Sequence, residues 1–379
     1  MRVLEVARQF YPKVGGIESC VLNVSRGLAQ RGHTVEVVTL ERDLQTGEKL
    51  GERSETVDSI RIHRIPHLGS SRYTFAPSWL RFTRDFDVVH IHAIDFFVDS
   101  AAFARMVGLL RPSIVVTTHG GIFHTASLRR LKEFYWKNVL RHTLKAATTV
   151  VAVSDSDADL VAPIVPPEKL VTIPNGIDPL FREAGLQHQT QTAPPRIVAF
   201  GRVSAAKYIN RFLSAFATVA GQFPDVEVVV AGPDDRGTTE HLRRSSVAMG
   251  LAGRVHFPGP LPAAQLAELV ATSRLFVSAA QHEGFGITTV EALSAGVPVM
   301  VTHTGIHDQL VNPGVNGWFW SGLPDIPALM TLGEALSLPD ARLNEMRRAA
   351  RDSAAPFDWS LSTDRYERVL ESAYRQSAR

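Results

Sequence analysis

Twice along these 379 residues, short β-branched runs alternate with stretches of helical spacing. In the first half the runs are RVLEVA (2–7), TVEVVTL (34–40), SIRIHRI (59–65), DVVHIHA (87–93), SIVVTTH (113–119) and TTVVAVS (148–154). Several carry apolar residues at successive positions, which suits parallel strands covered by helices on both faces. IESCVLNVSRGLAQRG (17–32) reads as the first intervening helix, stopped by Gly32. A second series follows: PRIVAFGR (195–202), DVEVVVAGP (225–233), RVHFPGP (254–260), RLFVSAA (274–280) and PVMVT (298–302). Between them, residues 174–195 read as an interdomain connection, with prolines at both ends and the low-complexity stretch QHQTQTA. The expected fold is α/β, with two doubly wound Rossmann-like domains facing across a cleft, over residues 1–185 and 186–359. A last helix, residues 357–376, offers Trp359, Leu361, Tyr366, Val369, Leu370 and Tyr374 as an apolar stripe.

Composition narrows the class further. Hydrophobic residues make up 45% and charged residues 21%, a globular balance, and a net charge of +2 gives no bulk electrostatic reason to bind nucleic acid. Cys20 is the single cysteine, so an intrachain disulfide and a cysteine-cluster zinc site are both excluded, in keeping with a reducing compartment. MRVLEVARQF lacks the apolar core of a secretory signal, and residues 88–110 are interrupted by His90, His92, Asp95, Asp99 and Arg105. A cytoplasmic location is expected.

In open α/β sheets ligands bind beyond the carboxyl ends of the strands, so segments joining a strand end to glycine and polar residues carry the functional weight. YPKVGGIE (11–18) is one: Gly15 and Gly16 permit close approach of a ligand, or simply a tight turn. His90 and His92 share one face of a strand, where they are metal ligands lacking further partners or buried polar groups. THGGIFHT (118–125) puts His119 at a strand end, facing a reacting group or buried for structural reasons. The following stretch, 127–147, carries Arg129, Arg130, Lys132, Lys137, Arg141 and Lys145, with Leu128, Leu131, Tyr135 and Leu144 as an apolar stripe. It reads as an anionic-membrane face or a solvated surface helix. GRVSAAK (201–207) sets Arg202 and Lys207 around a turn, suited to a diphosphate. In AGPDD (231–235), Gly232 and Pro233 could meet a nucleobase or form an ordinary turn. HEGFGITTVE (282–291) leads through Glu283, Gly284, Phe285 and Gly286 into a helix starting near Ile287 and Thr288. Thr288 and Glu291 have the spacing of a capping box, whereas nothing local accounts for Glu283.

Taken in order, GGIE, HIHA, THG, VAVS, IPNGID, GRVSAAK, AGPDD and HEGFGITTVE resemble the retaining glycosyltransferases of family 4, of the GT-B fold. The resemblance implies that a nucleotide diphosphate sugar is the co-substrate, that no metal cofactor is required, and that hexose (mannose or glucose) passes to a glycan or lipid-linked acceptor. It implies that Glu283 binds the donor sugar, Glu291 the ribose, and Arg202 with Lys207 the diphosphate. Gly15 and Gly16 would close over the donor, and His119 would lie near the reacting carbon. It also implies that the C-terminal helix, from about 360, packs back on the first domain. THGGIFHT followed by a basic helix is similar to the GDP-mannose-dependent exopolysaccharide branch, which uses polyprenyl-diphosphate-linked acceptors at the inner face of the plasma membrane. The alternatives are a non-hydrolysing sugar-nucleotide epimerase of the same fold and a catalytically silent sugar-nucleotide-binding protein. A nicotinamide dehydrogenase is disfavoured because GxGxxG is missing.

Overall fold

The computed structural model describes residues 1–13, 15–70, 73–120, 129–188 and 195–377. It divides into two compact units, Met1–Gly176 with Trp359–Arg379, and Ile177–Asp358. The first opens with β1 (Arg2–Val6), α1 (Gly16–Gln30) and β2 (Thr34–Leu40). Two hairpins follow, β3 (Ser54–Val57) with β4 (Ile60–Ile65), and β5 (Leu68–Ser70) with β6 (Tyr73–Phe75). Then come β7 (Val88–His92), α2 (Phe96–Met106), β8 (Ser113–Thr117) and α3 (Arg129–Tyr135). The remaining elements before the crossing are α4 (Arg141–Thr143), β9 (Thr149–Ala152), α5 (Asp155–Val161) and β10 (Leu170–Thr172). The sheet order is β10-β9-β8-β7-β1-β2-β4-β3, with only β3 antiparallel to its neighbour. Every residue of β7 and β8 is buried, which explains why their sequences do not alternate.

The second unit starts with α6 (Pro179–Gln187), β11 (Arg196–Phe200), α7 (Ile209–Val219), β12 (Glu227–Ala231) and α8 (Thr238–Ala248). It continues with β13 (Val255–Gly259), α9 (Ala263–Ala271), β14 (Leu275–Val277), α10 (Ile287–Ser294) and β15 (Val299–Val301). It ends with α11 (His307–Leu310), β16 (Gly317–Phe319), α12 (Ile326–Ser337) and α13 (Asp340–Ala354). Its six strands are all parallel, in the order β13-β12-β11-β14-β15-β16. In each sheet the strand order reverses beside the first strand of the unit, between β1 and β7 and between β11 and β14. Such switch points leave a crevice at the carboxyl ends of the two strands, and those ends carry the segments singled out in the sequence.

Two expectations need correction. The boundary falls at 176/177, not 185/186, because part of the expected connection is α6: Asp178 caps it by accepting from Leu180 N–H at 3.0 Å, and Pro179 sits at its first turn. A Cβ on Gly185 would stand 2.4 Å from the carbonyl oxygen of Ala295, so α6 lies close against the end of α10, within the second unit. The chain returns to the first unit as α14 (Trp359–Ser377), which packs on α1 where a Cβ on Gly27 would meet Thr363 at 2.6 Å. Its buried face is Ser362, Thr363, Tyr366, Leu370 and Ala373, whereas Leu361 and Tyr374 are exposed.

Candidate active site

The loop after β11 holds Arg202 and Lys207, and the loop after β14 holds Glu283. Lys207 Nζ donates to Glu283 Oε1, so the two residues judged independently in the sequence form one half-buried ion pair. Next to Lys207, Tyr208 is a bulky residue with φ of 50°, over whose ring the Arg211 guanidinium sits at 4.1 Å. The Glu283 N–H donates to Thr304 Oγ1 at 3.0 Å, and the carbonyl of Phe285 accepts from Ile306 N–H at 2.8 Å. The HEGFG loop is thus held from behind by the segment after β15. Gly201, with φ of 104°, lies against Thr288 at the start of α10, and Gly232 lies so close to Gly201 that a Cβ there would sit 1.9 Å from its carbonyl oxygen. A pocket at these strand ends is lined by Gly201, Arg202, Lys207 and Thr288 together with core residues of β11, β12 and β14. Arg202 is exposed and makes no ion pair among the described residues.

The capping box is overturned. The N-cap of α10 is Gly286, with φ of 102° and no side-chain cap, which places Thr288 and Glu291 inside the helix. The Glu291 carboxyl has no hydrogen-bond partner among the described residues. Burial, with repulsion from Asp178 of the IPNGID segment, pushes its carboxyl up to about 8. Below α10, His307 donates from Nδ1 to the Thr302 carbonyl at 2.7 Å, so its Nε2 accepts from the Thr289 hydroxyl at 2.8 Å. A Cβ on Gly286 would stand 2.9 Å from that same Nε2. Phe285 is buried against Phe357 at 5.9 Å, so its side chain serves packing. Gly232 N–H and the Pro233 carbonyl are both engaged in the backbone, with Gly259 and Val203 at 2.9 Å, so this pair braces the loops.

At the strand ends of the first unit, His119 adopts φ of 54°. Asp157 fixes it from both sides, accepting from the Thr118 hydroxyl and, at 3.1 Å, from Gly120 N–H. Left-handed residues other than glycine are costly, about 1–3 kcal/mol each, and Ala93 and His119 place them just beyond β7 and β8, while Tyr208 places one at the start of α7. His90 and His92 are wholly buried partners of Glu5, at 2.9 and 2.6 Å. Burial acts to raise the Glu5 carboxyl, but His90 and His92 outweigh it and hold it at about 2. Burial, aided by His90, lowers His92 to about 4. Glu5, His90 and His92 lie close enough together to hold a metal, as do Cys20, His92 and His119 and, at the surface, His33, Glu367 and Glu371. The sequence offered the two strand histidines no third group; the fold supplies one from β1. Gly15 and Gly16 stand at the start of α1, neither with positive φ, and a Cβ on Gly15 would meet only the flexible end of Glu18. The turn itself therefore does not demand glycine there.

Two family models divide the chain between them: Glycosyltransferase Family 4 matches residues 14–180, and Glycosyl transferases group 1 matches residues 183–349. The GDP-mannose:cellobiosyl-diphosphopolyprenol alpha-mannosyltransferase of Komagataeibacter xylinus is 33% identical over 98% of this chain and 93% of its own. This chain belongs to glycosyltransferase family 4. The enzyme of the same name from Xanthomonas campestris is 35% identical over 97% of this chain and 95% of its own. Among solved structures, sucrose-phosphate synthase from Thermosynechococcus elongatus superimposes with a TM-score of 0.78 at 18% identity, covering 99% of both chains. Anabaena HepE, in complex with UDP and glucose, gives 0.77 at 19% identity over 98% of this chain and 100% of its own. The family 4 chain therefore has the GT-B fold and is a hexosyltransferase.

The basic segment of this family 4 enzyme is not the single helix that its spacing suggested. After α3 it passes through a π-turn, Trp136–Leu140, and residues 127–128 lie outside the described residues. Trp136, Leu140 and Leu144 face the core. Leu131, expected in the buried stripe, is 60% exposed beside Phe134 at 62%, among exposed Arg130, Lys137, Arg141 and Lys145. No helix among the described residues is long and apolar enough to cross a membrane.

Proposed function

We propose that the enzyme transfers mannose from GDP-mannose, with retention of anomeric configuration, to a polyprenyl-diphosphate-linked glycan in exopolysaccharide synthesis. What carries this reading is its likeness, over nearly the whole chain, to two mannosyltransferases named for that donor and that class of acceptor. The Lys207–Glu283 pair supports it: an ammonium at the departing diphosphate and a carboxylate for sugar hydroxyls, already adjacent. Charge-assisted hydrogen bonds of this kind are worth roughly 1.5–3 kcal/mol each. Arg202 adds a planar fork to the same phosphates. In the reaction the bond from C1 to the β-phosphate oxygen breaks, an acceptor hydroxyl attacks C1 from the same face, and its proton passes to the departing phosphate. Lys207 and Arg202 stabilise the charge that develops there. Glu291 receives the ribose hydroxyls, for which its unpartnered carboxyl is open. The first unit binds the acceptor, the second the donor. No divalent metal takes part, so EDTA leaves the rate unchanged.

The apolar and basic residues around Leu131 and Phe134 suit peripheral attachment to an anionic cytoplasmic membrane face, where a polyprenyl-linked acceptor resides. Radiolabelled GDP-mannose and UDP-glucose, each supplied with lipid-linked cellobiose, test the reading. Label moves to lipid from GDP-mannose alone, in α linkage. Transfer from the UDP-sugar, or conversion of the donor without acceptor, would contradict it.

A further inference from the structure

Proton counting along one line of buried side chains settles which ring nitrogen of His119 carries hydrogen. Glu5 is wholly buried in the middle of β1, and its carboxylate can only accept. His92 Nε2, at 2.6 Å from Glu5 Oε2, must therefore donate. A neutral His92 then presents a bare Nδ1, and His119 Nε2 lies 3.1 Å from it. That second bond forms only if His119 Nε2 is the protonated nitrogen, which leaves Nδ1 with its lone pair. We propose that Glu5, His92 and His119 form a hydrogen-bonded relay that fixes His119 as the Nε2–H tautomer, so that Nδ1 accepts a hydrogen bond from a substrate hydroxyl.

Three further features fit a relay. Burial, with His92 and His90 beside it, holds His119 well below the usual imidazole range, so the ring stays neutral. The His92 and His119 ring planes are within 24° of parallel with centroids 5.4 Å apart, which allows an in-plane bond between their facing nitrogens. Tyr366 of α14, fully buried, covers His90 at 5.4 Å, and His90 Nε2 engages the Thr117 hydroxyl at 2.8 Å, so the inner end of the line is shut off from water. The C-terminal helix, which brought no evident chemistry in the sequence, thereby walls in the relay. Glu5 and His92 are positioning residues, and the tautomer they impose selects a hydroxyl, a donor, over a phosphate oxygen, an acceptor.

The inference rests on the proposed transfer reaction only for its kinetic arm, because the tautomer can be read without any substrate. Histidine-labelled protein is studied by long-range ¹⁵N–¹H correlation, with His119→Gln and His92→Gln assigning the two rings. Wild type should show His119 with Nε2 protonated and Nδ1 bare. Glu5→Gln, whose amide can donate or accept, should turn His119 into a mixture of tautomers and lower kcat by roughly 10- to 100-fold, the usual scale for an orienting partner. In His119→Ala, a raised KM for the nucleotide sugar or for the acceptor supports the relay and identifies which molecule supplies the hydroxyl. A protonated Nδ1 in wild type, an unchanged His119 spectrum in folded Glu5→Gln, or a stoichiometric metal bound at Glu5, His90 and His92 would overturn the proposal. If Glu5→Gln does not fold, the wild-type spectrum decides alone.

Discussion

Towards the carboxyl ends of the first sheet, Glu5, His90, His92 and His119 have one another as partners, whereas at those of the second the side chains of Arg202 and Glu291 have none among the described residues. Both crevices lie at switch points of parallel sheets, so the difference lies in how the charges were placed. The histidine line is complete within the protein and its acid is held at about 2, a geometry settled before any ligand arrives. The carboxyl of Glu291 is pushed up to about 8 and Arg202 is exposed, so in the proposed reaction the bound donor would complete that site. Lys207 and Glu283 form an ion pair there, and they stand where departing phosphate and transferred sugar would meet in the proposed reaction.

Substitutions that unpair the second site should have the largest effect. Glu283→Ala and Lys207→Ala are each expected to lower transfer at least ~100-fold, about 3 kcal/mol of lost stabilisation, while circular dichroism shows an intact fold. Arg202→Ala, which breaks no bond within the protein, should weaken donor binding about 10-fold by calorimetry without altering thermal stability. Glu291 should reveal its raised pKa through stability. Its folded value of about 8 exceeds the unfolded value, so the native state binds more protons between pH 4.5 and 8 and loses stability as pH rises through that window. Glu291→Gln removes that slope, and its advantage in Tm should be near zero at pH 4.5 and reach roughly 5 °C at pH 8.5. Equal Tm differences at both pH values would mean that Glu291 ionises freely. The smallest effect is at the surface: neutralising Arg130, Lys137 and Arg141 should reduce sedimentation with anionic liposomes and leave soluble-acceptor activity unchanged.

The strand series was legible because parallel strands covered on both faces need no alternation, and VVHIH and SIVVT are buried along their whole length. Where the sequence misled, a residue had two physical uses. Pro179 read as a breaker, yet at the first turn of α6 it lacks only an N–H that the helix does not need. Thr288 and Glu291 have capping-box spacing, but Gly286 starts the helix two residues earlier with a φ that threonine disfavours. Leu131 fits a helical stripe, but the π-turn after Tyr135 breaks the register between it and Leu144, so Leu144 is buried while Leu131 is exposed. Glu5 and Asp157 went unremarked because the histidines and loop groups they hold come from distant strands and loops. The one available signal was an acid within RVLEVA, a run otherwise suited to burial.

The claim that Glu283 reads the sugar while its neighbours read the nucleotide is tested most directly by titrating GDP-mannose and GDP into wild type and Glu283→Ala by calorimetry. The expected result is that wild type binds GDP-mannose more tightly than GDP, and that Glu283→Ala loses this preference while retaining its affinity for GDP. A preference that survives in Glu283→Ala, or GDP affinity that falls as far as that for GDP-mannose, would contradict it.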